Sequence, residues 1–198
     1  MDFAEKCNRI FWNTAQWYHQ NDNIDFEPVN PFEEGTVEYT LFAKHWIDAV
    51  LWHLEDIIRD PEIDPVEALS LKRRIDEANR ERTAMVEKLD EHFRVLYKDV
   101  TPLHDAALNT ETPASAIDRL SILALKIYHM DVEVRRQDAS PRHIEQCRSE
   151  LRVLLEQRED LTTAISRLLD DIQAGRKYLK TYTRTKNYNM PNPALHIS

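Results

Sequence analysis

LKRRIDEANRERTAMVEKLDEHF, residues 71–93, decides the fold. Leu71, Ile75, Ala78, Met85, Val86, Leu89 and Phe93 recur at helical spacing, so at about 100° per residue they form one apolar stripe. Arg82 falls in the middle of that stripe, where periodicity asks for leucine. Arg158 does the same among Leu151, Leu154, Leu155, Leu161 and Ile165, and Arg176 follows between Ile172 and Leu179. A guanidinium keeps its proton, so burying one requires a carboxylate or a bound anion. The chain therefore implies a polar site inside a helical core.

Composition narrows the class. A length of 198 residues suits one domain with a real core. With 42% hydrophobic and 31% charged residues, the chain is neither disordered nor membrane-embedded. No apolar run approaches the roughly 20 residues of a membrane span. The opening MDFAEKCNRIFW lacks the pattern of a secretory signal, which predicts a cytoplasmic location. Cys7 and Cys147 form no CxxC, arguing against a disulfide framework or zinc knuckle, and read as small apolar filler. The two glycines, Gly35 and Gly175, exclude a P-loop or dinucleotide fingerprint and disfavour sheets. A net charge of −9 argues against nucleic acid as a partner. One local exception, Arg176, Lys177, Lys180, Arg184 and Lys186 interleaved with tyrosines, reads better as complementing the negative end of a long helix.

The rest of the chain predicts an all-α, up-down bundle of about five helices in a single domain, residues 1–198. The first helix spans roughly Asp2 to Gln20, and an irregular, proline-bearing loop covers 21–35. The second runs about Thr36 to Arg59, before Asp60-Pro61. The third opens at Asp64-Pro65 and continues to about Lys98, and the fourth spans about Thr112 to Arg136. The fifth opens at Ser140-Pro141 and reaches about Tyr182, leaving an irregular tail over 184–198. In such a bundle helices three and five run parallel. Arg82 and Arg158 each lie 17 residues after the opening proline, which predicts one shared layer.

Candidate chemistry clusters around those arginines. The fourth helix is apolar over most of its circumference, and its polar residues keep to a narrow arc. Asp118 and His129 point about 20° apart there, as do Arg119 and Lys126. Asp118 is the expected counter-ion, unless the arc simply faces water. Asn79, one turn from Arg82, could orient it or share its ligand. On the second helix, Lys44, Asp48, Glu55 and Arg59 read as a solvent face with i,i+4 pairs. Glu38, His45, Trp52 and Asp56 read as a border stripe, with His53 close by. His53 and Asp56 could share a metal, but a lone pair is weak evidence, and no metal-ligand set or cofactor is assigned. No HExxH, EF-hand loop, GxSxG elbow or pair of ExxH motifs is present.

LWHLEDIIRDP (51–61), DEANRERTAMVEKLD (76–90), DRLSILALKIYHM (118–130), EQREDL (156–161) and AGRKYLKTYTRTKNYN (174–189) resemble a bacterial family catalogued as domain of unknown function 4254. The resemblance covers most of the chain, KIYHM being its most specific segment. Motif positions include His53, Glu55, Asp56, Asn79, Arg82, Glu87, Asp90, Asp118, Arg119, Lys126, His129, Arg158 and Asp160. The family supplies no established activity. Resemblance implies a genomic setting near glycosyltransferases of surface-polysaccharide synthesis.

The leading expectation is a protein binding an anionic or phosphorylated small molecule, such as a nucleotide or sugar nucleotide. Arg82 and Arg158 would clamp the anion with Lys126 and Asn79, while Asp118, Asp56 and His129 orient those cations or move protons, with His53 also at the binding site. An enzyme built this way would carry out metal-assisted hydrolysis or transfer at phosphate. The rival is a structural Arg–carboxylate network in a non-enzymatic scaffold or adaptor forming a homodimer. In that case Trp12, Trp17 and Tyr18 would supply the exposed face.

Overall fold

The computed structural model describes residues 2–180. Five helices carry the fold: α1 (Phe3–Asn21), α2 (Val37–Ile58), α3 (Pro65–Leu96), α4 (Pro113–Val134) and α5 (Pro141–Gln173). All five starts are set by capping residues the sequence offers, beginning with Asp2, which accepts from the Ala4 amide ahead of α1. Asp64 and Thr112 each accept a hydrogen bond from the first turn and are followed by proline, and Ser140 caps α5 in the same way. Thr36 caps α2, accepting from the Tyr39 amide.

α2 and α4 form the centre. α4 packs against all four other helices, and α2 packs against α1, α3 and α4. Their sequences fit that place, because both carry apolar residues around most of the circumference. The main core joins Phe11, Ala15 and Tyr18 of α1 to Leu41, Phe42 and Trp46 of α2, Leu89 and Phe93 of α3, Ile117, Leu120 and Leu125 of α4, and Ile165 of α5. α3 and α5, 32 and 33 residues long, lie on the outside and bury only a stripe. The loop after α1 is held down by Arg74 on Asp25 at 2.6 Å and by Phe26 against Trp46.

Three expectations need correction. α5 stops at Gln173 rather than near Tyr182. Gly175, at φ +70°, ends it with amide bonds from Gly175 to Ile172 and from Arg176 to the Asp171 carbonyl. The chain then turns into a two-stranded parallel sheet, β1 (Ala107–Asn109) with β2 (Lys177–Leu179), although few glycines had disfavoured strands. A glycine is required here, since a Cβ would stand 2.8 Å from the Thr101 carbonyl oxygen. Arg176 is exposed and bonds Asp171 at 2.7 Å, as a helix-end residue does. The expected tail over 184–198 lies outside the described residues.

Secondly, the α3 and α5 backbones do not approach each other closely, and Arg82 and Arg158 line different clefts, so no bundle layer joins them. Level helix starts say nothing about which helices are neighbours, and α4 stands between these two. Thirdly, α1 presents no free aromatic face. Tyr18 is 1% exposed, Trp17 packs on Phe42 and Trp46, and Trp12 leans on Tyr128.

Candidate functional site: a buried charge network opening into a cleft

The helix read as having a solvent face, α2, turns two of its charges inward. Lys44 and Asp48 are wholly buried, and so is His45, which periodicity had put at the border. An i,i+4 pair of opposite sign looks the same on a wet helix as in a core. The discriminating signal was the surrounding stretch LFAKHWIDAVLWHL, apolar on every side, which leaves α2 no water-facing arc at this level.

The buried groups form one connected network. Lys44 Nζ donates to Asp48 Oδ2 at 2.5 Å, lies 2.7 Å from Asp118 Oδ1, and reaches the Asp118 carbonyl at 3.3 Å. Arg82 Nη2 bonds both oxygens of Asp118, at 2.8 and 2.6 Å. Its Nε stands 3.0 Å from Asp48 Oδ1, near enough for ion pairing but misaligned for a hydrogen bond. Two cations thus balance two carboxylates, which is the condition for burying either. The expected partnership of Asp118 with Arg82 is present.

Ser121 and His45 extend the network. Ser121 Oγ donates to Asp48 Oδ2 at 2.5 Å, so it accepts from His45 Nδ1 at 2.7 Å. That fixes the proton on Nδ1 and leaves Nε2 as an acceptor with no partner among the described residues. Burial, with Lys44 beside it, holds His45 well below its ordinary 6.5, so the ring stays neutral. The hydroxyl proton points to the carboxylate, not the imidazole, and both side chains are fully buried. This trio is therefore no nucleophilic triad.

Burial pushes Asp48 upward, while Lys44, Ser121 and Arg82 pull it back. Burial acts the same way on Asp118, but Lys44 and Arg82 outweigh it and hold the carboxyl below its ordinary range.

Arg82 is the network's outlet to water. Its side chain is 29% exposed, and Nη1 has no hydrogen-bond partner among the described residues. Because α3 and α5 stand apart, a cleft of about 670 Å³ opens between them. Ile122 and Leu123 of α4 line its floor, with Arg82, Arg119, Lys126, Gln157 and Asp160 around them. Arg119 is held by Glu111 at 2.9 Å, whereas Lys126 is exposed and makes no ion pair among the described residues. On its other side Arg82 borders a smaller groove of about 280 Å³ with Asn79, Trp52 and Asp56. Asn79 turns its amide to the Ile75 carbonyl, and Asp56 is exposed beside Arg59 at 3.2 Å.

The remaining sequence candidates lie elsewhere. Arg158 faces α1, in a separate cleft with Glu5, Asn8 and Trp12. His53 and His129 meet each other and His19 of α1, a residue sequence periodicity did not single out. His53 is lowered mainly by burial, and burial with the neighbouring imidazoles brings His129 down to about 4.

An all-α protein with a charge-balanced core beside an open cleft is the class this geometry defines. The chain belongs to the family described as protein of unknown function (DUF4254), which matches residues 38–181. That span contains α2 from Glu38 onward, all of α3, α4 and α5, and every member of the buried network. No curated protein and no solved structure matches the chain. Among the described residues no helix is long and apolar enough to cross a membrane.

Proposed function

We propose that the protein binds an anionic, phosphorylated small molecule in the cleft between α3 and α5. The observation that carries this reading is Arg82, held by two carboxylates with Nη1 free of hydrogen-bond partners among the described residues, lining a cleft that also holds Lys126 and Arg119. A guanidinium fixed from behind loses little freedom on meeting a phosphate, which favours binding. Lys126 adds a mobile cation, and Gln157 adds hydrogen-bonding capacity. In this reading Arg119 takes the place assigned to Arg158 in the expected clamp, and Lys126 keeps its own. A nucleotide or sugar nucleotide fits the apolar floor of Ile122 and Leu123 as well as the cations. The reading keeps the cytoplasmic location expected from the opening residues and the bacterial setting near surface-polysaccharide synthesis that the family resemblance implies.

The scaffold reading is favoured by a different observation, that Arg82 is already charge-balanced by Asp48 and Asp118. Thermal shift with inorganic pyrophosphate and a panel of nucleotides and sugar nucleotides separates the two. Ligand binding predicts a rise in Tm that is lost in Lys126→Ala, an exposed position whose change leaves the fold intact. No rise with any of these anions, or a rise unchanged in both Lys126→Ala and Arg82→Lys, leaves the network as a structural device alone.

A further inference from the structure

We infer that His19, His53 and His129 form a three-histidine site for a borderline-soft divalent transition-metal ion of the zinc class. The rings come from three different helices, α1, α2 and α4, and one donor nitrogen of each lies within 4.8 Å of the others. His19 Nε2 and His53 Nε2 are 3.2 Å apart. Two imidazoles on one tetrahedral zinc, each at about 2.0–2.1 Å, hold their nitrogens about 3.3 Å apart. A modest approach of the third ring completes one face of the tetrahedron.

Three independent features agree with this assignment. His19 Nδ1 donates to the Ala15 carbonyl at 2.7 Å, leaving Nε2 as the lone-pair nitrogen aimed at His53. Such an outer hydrogen bond is what orients a ligating histidine. His129 Nε2 is buried and has no hydrogen-bond partner among the described residues, an orphan that a metal bond would satisfy. Finally, each imidazole is braced by its own aromatic ring: Tyr128 stacks on His19 at 4.2 Å, Tyr18 on His53 at 5.1 Å, and Trp52 on His129 at 4.6 Å. A site whose ligands are held before the ion arrives gives up little entropy on binding.

Three neutral imidazoles suit zinc, cobalt, nickel or copper over magnesium or calcium, which prefer oxygen. Asp22, in a left-handed conformation at the end of α1, brings a carboxylate oxygen to 4.0 Å from His53 Nε2. The fourth position is therefore open to that carboxylate or to water, the arrangement that distinguishes reactive zinc sites from closed structural ones. Trp52 touches this site and also lines the smaller groove beside Arg82, so the two polar regions share a wall. The assignment does not depend on anion binding in the larger cleft.

Titration of the chelator-stripped chain with cobalt and with zinc tests the site. The expected result is one equivalent of cobalt bound, with the visible d–d bands of tetrahedral nitrogen and oxygen ligation, and a higher Tm. His53→Gln and His129→Gln should each remove those bands, and Asp22→Asn should weaken binding without abolishing it. The competing cluster Glu133, His143 and Cys147 is controlled by Cys147→Ser, which should change nothing. Nitrogen NMR of the unmutated chain guards against misfolded variants: one equivalent of zinc should shift the ring nitrogens of His19, His53 and His129. Absence of saturable binding, a thiolate charge-transfer band lost in Cys147→Ser, or shifts centred on His143 would overturn the assignment.

Discussion

Lys44→Met is the most incisive perturbation of the core network. The substitution keeps the length and apolar character of the stem but removes an ammonium that is completely buried. Nζ contacts Asp48 at 2.5 Å, Asp118 Oδ1 at 2.7 Å and the Asp118 carbonyl at 3.3 Å, and all three contacts vanish. One cation, Arg82, would then face two carboxylates, one of them with no solvent access. Removing one partner of a buried pair is destabilising by about 3–5 kcal/mol. For a chain of this size that lowers Tm by about 6–20 °C. Urea unfolding followed by far-ultraviolet circular dichroism measures it directly. Adding Asp48→Asn restores the charge balance, leaving Arg82 with Asp118. The double variant should therefore be more stable than the sum of the single effects by about 0.5–3 kcal/mol. A loss below about 1 kcal/mol in Lys44→Met, or strictly additive effects, would refute the picture of a desolvated, mutually dependent network.

Other consequences follow from the same geometry. Gly175→Ala should destabilise by more than about 1–2 kcal/mol, because the left-handed backbone is joined by a 2.8 Å approach to the Thr101 carbonyl; chemical denaturation reads it. Since His45 stays neutral in the fold, the unfolded chain binds a proton below about pH 6.5 that the native state refuses. Stability of the metal-free protein should thus fall from about pH 8 to about pH 5, and a flat urea midpoint across that window would contradict it. Asp118 acts in a lower window: its stabilising contribution is complete above its ordinary 3.8 and is lost as pH drops through the depressed native value, visible in an acid titration by circular dichroism. Burial pushes the Cys7 thiol up to about 12, so iodoacetamide should label it only after unfolding, as peptide mapping would show. Arg158→Ala should change stability by no more than about 0.5 kcal/mol and leave any anion-induced Tm shift intact, because its cleft is separate from that of Arg82.

The sequence by itself determined the five helices and nearly all their ends, because apolar spacing and Asp64-Pro65, Thr112-Pro113 and Ser140-Pro141 are local signals. It also implied that a buried Arg82 needs a carboxylate or a bound anion, and it offered Asp118 as the candidate, but only the structure puts that carboxylate on the guanidinium rather than in water. Reading α5 on to about Tyr182 passes over Gly175 as a stop, and that glycine's close approach to Thr101 exists only once the ends of the bundle meet. Tertiary structure alone decided which charges go inside. Lys44 and Asp48 obey the same i,i+4 rule as any solvated pair, and only α4 and α3 closing over α2 take them out of water. It alone parted Arg158 from Arg82, because helix order leaves open which helices touch. And it alone gathered His19, His53 and His129, which stand on three different helices, to within 4.8 Å. Periodicity fixes the face a residue occupies; the partner across that face is fixed only when the helices pack.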